Sequence, residues 1–258
     1  MHWLSGIRAV LVDLDGTLVV RGAHVLPGAA AFIARIRSKD LGFRICSNTT
    51  RRSRAAICYG LQREDLDVEV EDLVIPASLA RRYVVESGKT RAMLLVPDSS
   101  LEDFHGIAAD DARPDWVVLG DLGPGFTHER LSAAFRAIRS GAGFIALHRN
   151  PFWSPDDGGA DVLDVGAYAA ALEYAAGAAP VVVGKPEAPF YRLAVDELGV
   201  PPHEVLMVGD NLDNDVVGAA AIGCRTCLVR GTAFRAGALR TARHYPDLLV
   251  DSVADLVP

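Results

Sequence analysis

The stretch Val10-Leu11-Val12-Asp13-Leu14-Asp15-Gly16-Thr17 sets two carboxylates one residue apart at the end of an apolar run, directly ahead of a glycine. An uninterrupted apolar strand over residues 9–12 is the kind buried on both faces of a parallel sheet. It delivers Asp13 and Asp15 to its carboxyl end, where open α/β sheets keep their ligands. Alternation along an extended chain points both side chains the same way. The same residues also fit a strand followed by a plain Asp-Gly turn, so other segments must decide.

Three other strand ends carry chemistry. Phe43-Arg44-Ile45-Cys46-Ser47-Asn48-Thr49-Thr50 is an apolar strand that ends in four small polar side chains. Hydroxyls and backbone amides gathered ahead of a helix starting near Arg51 suit an anionic oxygen, and equally suit a helix cap. Val181-Val182-Val183-Gly184-Lys185-Pro186-Glu187 reads as a buried-type strand followed by a lysine that can meet a phosphate as a point charge. Pro186 is also an ordinary helix start. In the stretch from Val205 to Asp215 an apolar strand ends in Gly209-Asp210, and Asp210, Asp213 and Asp215 fall within six positions. Carboxylates this dense repel one another unless a cation sits among them, and hard oxygen donors without His or Cys favour magnesium over zinc. Alternatively, Asp213 or Asp215 serves only the N-terminus of a helix over 213–222.

Between and around these segments, β-type and helix-type runs alternate throughout. Strands are expected at 9–12, 43–46, 93–96, 116–119, 144–147, 205–208 and 225–229. Helices are expected at 28–38, 51–62, 127–139, 167–176, 187–198 and 213–222. This is the rhythm of parallel sheets with helices on both faces. With 258 residues, half of them hydrophobic, the chain has enough material for a large core. Lys and Arg number 26 against 33 Asp and Glu, a net charge of -7, so no positive field is available to hold a nucleic-acid backbone. The N-terminal stretch from Met1 lacks a long apolar region, and no run reaches the roughly 18 apolar residues of a membrane helix, so the expected location is the cytoplasm. Four cysteines suit a reducing compartment. Cys224-Arg225-Thr226-Cys227 follows Gly223, which reads as a helix C-cap rather than the helix N-terminus a redox pair needs, so packing is expected of it.

Taken together, the order Asp-x-Asp, Ser-Asn, Lys, Gly-Asp-x4-Asp resembles the haloacid dehalogenase superfamily of phosphohydrolases. Asp13 and Asp15 match its first motif, Ser47 its second, Lys185 its third, and Asp210 with Asp215 its fourth. The 137 residues between the second and third motifs leave room for an inserted cap, which is similar to the class IIA arrangement. Segments 141–148, 171–175 and 182–186 resemble a branch of that class containing inorganic pyrophosphate phosphatases and less characterised hydrolase-domain proteins. The resemblance implies a Rossmann-like α/β core with a parallel sheet, formed by residues 1–78 and 180–258, and an inserted α/β cap of the C2 type over 79–179. It implies Asp13 as nucleophile, forming an aspartyl-phosphate, and Asp15 as general acid and base. That role requires the Asp15 pKa, about 3.9 in free solution, to rise towards neutrality. Ser47, Asn48 and Lys185 would hold the phosphoryl group. Mg2+ would be held by Asp13, the backbone carbonyl of Asp15, and Asp210, with Asp215 orienting those ligands.

The second aspartate disfavours dehalogenation, since haloalkanoate dehalogenases lack it. A phosphomutase of the same fold would keep all these residues, but its cap usually lies between the first two motifs, where this chain has too little room. A non-catalytic phosphate-binding protein would have no chemical reason to keep all of them. Specificity is expected from the cap, with His148, Arg149 and Asn150, ahead of Phe152 and Trp153, offering a cation, an amide and an aromatic surface; a packing or dimer loop is the alternative. The expected partners are a small phosphorylated substrate and, through the cap, a second copy of the chain. Neither nucleic acid nor membrane is expected. Gly120-Asp121-Leu122-Gly123-Pro124-Gly125 lacks dinucleotide-binding spacing and reads as a turn.

Overall fold

The computed structural model describes residues 3–20, 24–153 and 159–257. The chain divides into two compact units, one formed by residues 1–47, 55–74 and 185–258 and the other by 48–54 and 75–184.

The first unit is built on a six-stranded, wholly parallel sheet. Its order is Leu248–Val250, Arg225–Val229, Val205–Gly209, Ala9–Asp13, Gly42–Cys46, Leu73–Val74. Every residue of Ala9–Asp13 and of Val205–Gly209 is buried, as their unbroken apolar runs require. Val12 stands opposite Val208 on one side and Ile45 on the other. The strand order runs outward in both directions from this central pair, which therefore marks the topological switch point where such sheets place their ligands. The helix Ala29–Ser38 buries Ala29, Phe32, Ile33 and Ile36, the i, i+3, i+4, i+7 stripe of an amphipathic helix. Each fully buried Phe or Ile of that kind contributes roughly 1.5–3 kcal/mol. The helix expected over 213–222 is instead a π-helical turn, Leu212–Val217, followed by a short α-helix, Gly218–Ala220.

The second unit has its own parallel sheet, ordered Val181–Val182, Gly143–Ala146, Trp116–Leu119, Arg91–Leu95, Ala108–Ala109. Met93, Leu95, Val117, Leu119, Phe144 and Ala146 from this sheet join Ile138, Val165, Ala169 and Leu172 in one core. Thr127 caps the helix His128–Arg139 by accepting from the Arg130 amide at 3.2 Å, as its hydroxyl predicted. Asp164 caps Val165–Ala176 and starts it two residues before the expected point.

Two expectations need correction. The run before Lys185 is not a buried central strand: Val181–Val182 is an edge strand of the second sheet, paired with Ile145 and Ala146, and Val181 is exposed. Branched apolar residues fit an edge as well as a centre, so composition alone does not separate the two. The units also do not divide at 78/79 and 179/180 but at 74/75 and 184/185, and residues 48–54 group with the second unit. That segment is fastened there by buried acids. Arg51 Nε donates to Asp121 at 2.5 Å, and both the amide and Nε of Arg54 donate to Asp103 at 2.9 and 3.0 Å. Thr50 accepts from the Asp121 amide at 3.0 Å, and Ser99 donates to the Arg51 carbonyl.

Candidate active site

The Ala9–Asp13 strand ends at Asp13, and the chain then turns sharply: the Leu14 carbonyl accepts from the amides of Leu18 and Val19, both at 3.0 Å. Gly16 makes that turn possible. Its φ is +88°, and a Cβ there would collide with the Asp210 carboxylate and stand 2.5 Å from Thr232 Oγ1. Asp15 is exposed, whereas Asp13 is buried.

Lys185 is only 3% exposed, and its Nζ donates to Asp13 Oδ1 at 2.5 Å and to Asp215 Oδ1 at 2.7 Å. Thr17 Oγ1 donates to the other Asp13 oxygen at 3.3 Å. Asp210, one residue past the buried Val208-Gly209 strand end, accepts from the Ala233 amide at 2.7 Å and from Thr232 Oγ1 at 3.3 Å. Asp215 is held at both oxygens, by Lys185 and by the Asn211 amide at 3.0 Å. Asn211 in turn caps the π-helical turn, accepting from the amides of Asp213 and Asn214.

Asp13, Asp210 and Asp215 each bring a carboxylate oxygen within 4.8 Å of the others, and all three are buried. Three acids thus face one ammonium, and the protonation equilibria show the strain. Burial, reinforced by Asp215 and Asp210, raises the Asp13 pKa well above the usual carboxylate range despite Lys185. Burial likewise raises Asp210 to about 6. Burial alone would depress the Lys185 ammonium, but Asp13 and Asp215 more than reverse that. An oxygen-only, buried, anion-rich cluster of this kind fits a hard divalent cation, which would favour the ionised acids that burial disfavours.

Of the residues expected in the site, Asp13, Lys185, Asp210 and Asp215 are joined directly. Ser47 is buried and follows Cys46, the residue paired with Asp13 in the adjacent strand. Asn48 falls in the second unit, where a Cβ on Gly184 would lie 2.7 Å from its Oδ1. His148 is buried 3.7 Å from Asp164, with burial pressing its pKa below the ordinary value, and it accepts from the Asn150 amide at 3.3 Å. Arg149 is engaged by Glu173 at 2.8 Å. The cation lying over the loop's aromatic is Arg51, whose guanidinium stands 4.5 Å from the Trp153 ring. Sequence reading missed Thr17 and Thr232 as partners of Asp13 and Asp210; Thr17 at least lay inside the opening motif. Cys224 and Cys227 are both buried, and burial pushes each thiol up to about 12, so neither is a ready thiolate.

Residues 10–107 match the family described as haloacid dehalogenase-like hydrolase, and residues 182–256 match a HAD-hydrolase-like family. The chain is 39% identical over 230 residues to haloacid dehalogenase-like hydrolase domain-containing protein 2 of Bos taurus, covering 89% of this chain and 86% of that protein. It is 33% identical over 257 residues to phospholysine phosphohistidine inorganic pyrophosphate phosphatase of Homo sapiens, covering 98% and 92%. Among solved structures, a 4-nitrophenylphosphatase from Thermotoga maritima superposes with a TM-score of 0.91 at 27% identity, over 100% of this chain and 98% of that one. A p-nitrophenyl phosphatase from Archaeoglobus fulgidus superposes with a TM-score of 0.90 at 25% identity, over 97% and 98%.

Proposed function

The chain belongs to the haloacid dehalogenase-like hydrolase family and is a phosphohydrolase, and on that premise we propose that it hydrolyses a small phosphorylated metabolite or pyrophosphate, with Asp13 as nucleophile and Mg2+ as cofactor. Its fold is a Rossmann-like α/β core with an inserted α/β cap of the C2 type. We take the first unit as the core and the second as the cap. The observation that carries the reading is the buried contact of Lys185 with both Asp13 and Asp215, beside Asp210.

In this mechanism an Asp13 oxygen attacks phosphorus, the bond from phosphorus to the leaving oxygen breaks, and Asp15 gives that oxygen its proton. Asp15, exposed where Asp13 is buried, then takes a proton from water as the water attacks the aspartyl-phosphate, releasing phosphate and restoring Asp13. A carboxylate approaching a phosphate meets charge repulsion, which the Lys185 ammonium offsets while stabilising the equatorial oxygens. Ser47, which directly follows the strand paired with Ala9–Asp13, orients the phosphoryl group. A magnesium ion held by Asp13, Asp210 and the Asp15 carbonyl would supply further charge neutralisation at the phosphoryl oxygens. Asp215 holds Lys185 and the Asn211 amide in place.

Two relatives carry names that specify p-nitrophenyl phosphate or 4-nitrophenyl phosphate, and one names phospholysine, phosphohistidine and inorganic pyrophosphate. We take these as the substrate chemistry to test first, with the cap, including His148, Arg149 and Asn150, setting selectivity. We further propose a cytoplasmic location and a homodimer formed through the second unit, on which Phe152, Leu163 and Tyr174 are exposed. No helix among the described residues is long and apolar enough to cross a membrane. Phosphate release from p-nitrophenyl phosphate should require Mg2+, stop with EDTA, and fall by about a thousandfold or more in Asp13→Asn. Equal rates in wild type and Asp13→Asn would refute the nucleophile. Ranking kcat/KM across phosphorylated metabolites and pyrophosphate then identifies the substrate.

A further inference from the structure

Lys185 and Asp215 lie 30 residues apart in the chain, and Tyr191, on the helix that follows Lys185, reaches the segment that carries Asp215. Tyr191 sits early in the helix Ala188–Leu198, which follows Lys185-Pro186, and it is completely buried. Its hydroxyl donates a short hydrogen bond to the backbone carbonyl of Asn214, the residue before Asp215. Its ring lies against Gly218, where a Cβ would come within 2.7 Å of Tyr191 Cε2 and 2.8 Å of the Pro186 carbonyl oxygen. The Gly218 amide serves the carbonyls of Asp213 and Asp215, while the phenol serves the one between them.

A π-helical turn is a rare form, met mostly as a single turn and frequently at functional sites. Here Asn211 holds its start and Tyr191 holds its middle. Phenylalanine would fill the same space, so the hydroxyl is not needed for packing. Burial, with Asp215 next, holds the phenol pKa well above its ordinary value, so it remains a donor. Rotation of the 214–215 peptide would swing Asp215 away from Lys185 and release the ammonium from its position against Asp13.

We propose that Tyr191 is a positioning residue for phosphoryl transfer: through the Asn214 carbonyl it fixes the turn that aims Asp215 at Lys185, and so sets where the ammonium stands against Asp13. This rests on the reading of Asp13 as nucleophile in a phosphohydrolase.

The test uses the full chain, p-nitrophenyl phosphate and Mg2+. Tyr191→Phe should fold with its Tm within a few degrees of wild type, lose about tenfold in kcat, and change KM less than about twofold. In an Asp215→Asn background the same substitution should cost less than about twofold, because the tyrosine acts through that carboxylate. A Tyr191→Phe protein with wild-type kcat, or a loss that is fully retained in the Asp215→Asn background, overturns the proposal. Equal activity of wild type and Asp13→Asn instead defeats the nucleophile reading, and the Tyr191 proposal with it.

Discussion

Removing Lys185 would leave Asp13 and Asp215 buried without their shared counter-charge. Breaking a buried ion pair from one side costs roughly 3–5 kcal/mol, so Lys185→Met should lower Tm markedly at pH 8. The loss should shrink as pH falls, because burial already raises the Asp13 pKa and so favours its neutral form; thermal melts across a pH series decide this. Asp210 carries a second pH signature. It titrates near 6 in the fold against 3.8 for an ordinary aspartate, with burial the main cause. Below pH 3.8 both folded and unfolded chains hold the proton, and the fold incurs no penalty. As pH climbs to about 6 the unfolded chain ionises first, and the metal-free fold loses roughly 3 kcal/mol. Asp210→Asn lacks this titration, so in EDTA the Tm of wild type minus variant should fall across that window, and a flat difference would disprove the burial account. At this scale Asp13, Lys185 and Asp210 were legible because each stands at the end of an apolar run or one glycine past it. Thr232 and Tyr191 were not, since a lone hydroxyl gives no sign of its partner until the chain is folded.

Among the elements, two helix or strand ends should respond in opposite ways. The turn after Ala9–Asp13 depends on Gly16, whose left-handed backbone and closeness to Asp210 leave no room for a methyl group. Gly16→Ala should therefore abolish most phosphatase activity, by about a hundredfold or more, by displacing the acids it touches. Thr127 caps a helix of the second unit. Thr127→Ala should cost about 1 kcal/mol, roughly 2–4 °C in Tm, with kcat unchanged. Most of the expected strands and helices are present because hydrophobic spacing reports burial, although the helix Pro76–Glu86 was not among them. The Leu212–Val217 turn was not legible either, because the shift from four- to five-residue hydrogen bonding leaves no mark on composition. The Val181–Val182 strand was misplaced for a related reason: three valines announce a strand but not which sheet it joins.

For the molecule as a whole, the proposed homodimer predicts a mass of twice the 27.5 kDa chain by light scattering. Tyr174, 93% exposed on the second unit, is the residue to change. Tyr174→Glu should shift that mass towards the monomer while preserving the fold, and a wild-type monomer at micromolar concentration would refute the dimer. The division into units carries a separate lesson for protein engineering. The chain passes from one unit to the other four times, at 47/48, 54/55, 74/75 and 184/185, rather than the two times of a simple insertion. A chimera that borrows residues 75–184 from a relative, and leaves 48–54 behind, would set Asp121, Ser99 and Asp103 against foreign partners. The second unit could be transplanted intact only as two separate pieces of sequence, the short one lying immediately after Ser47.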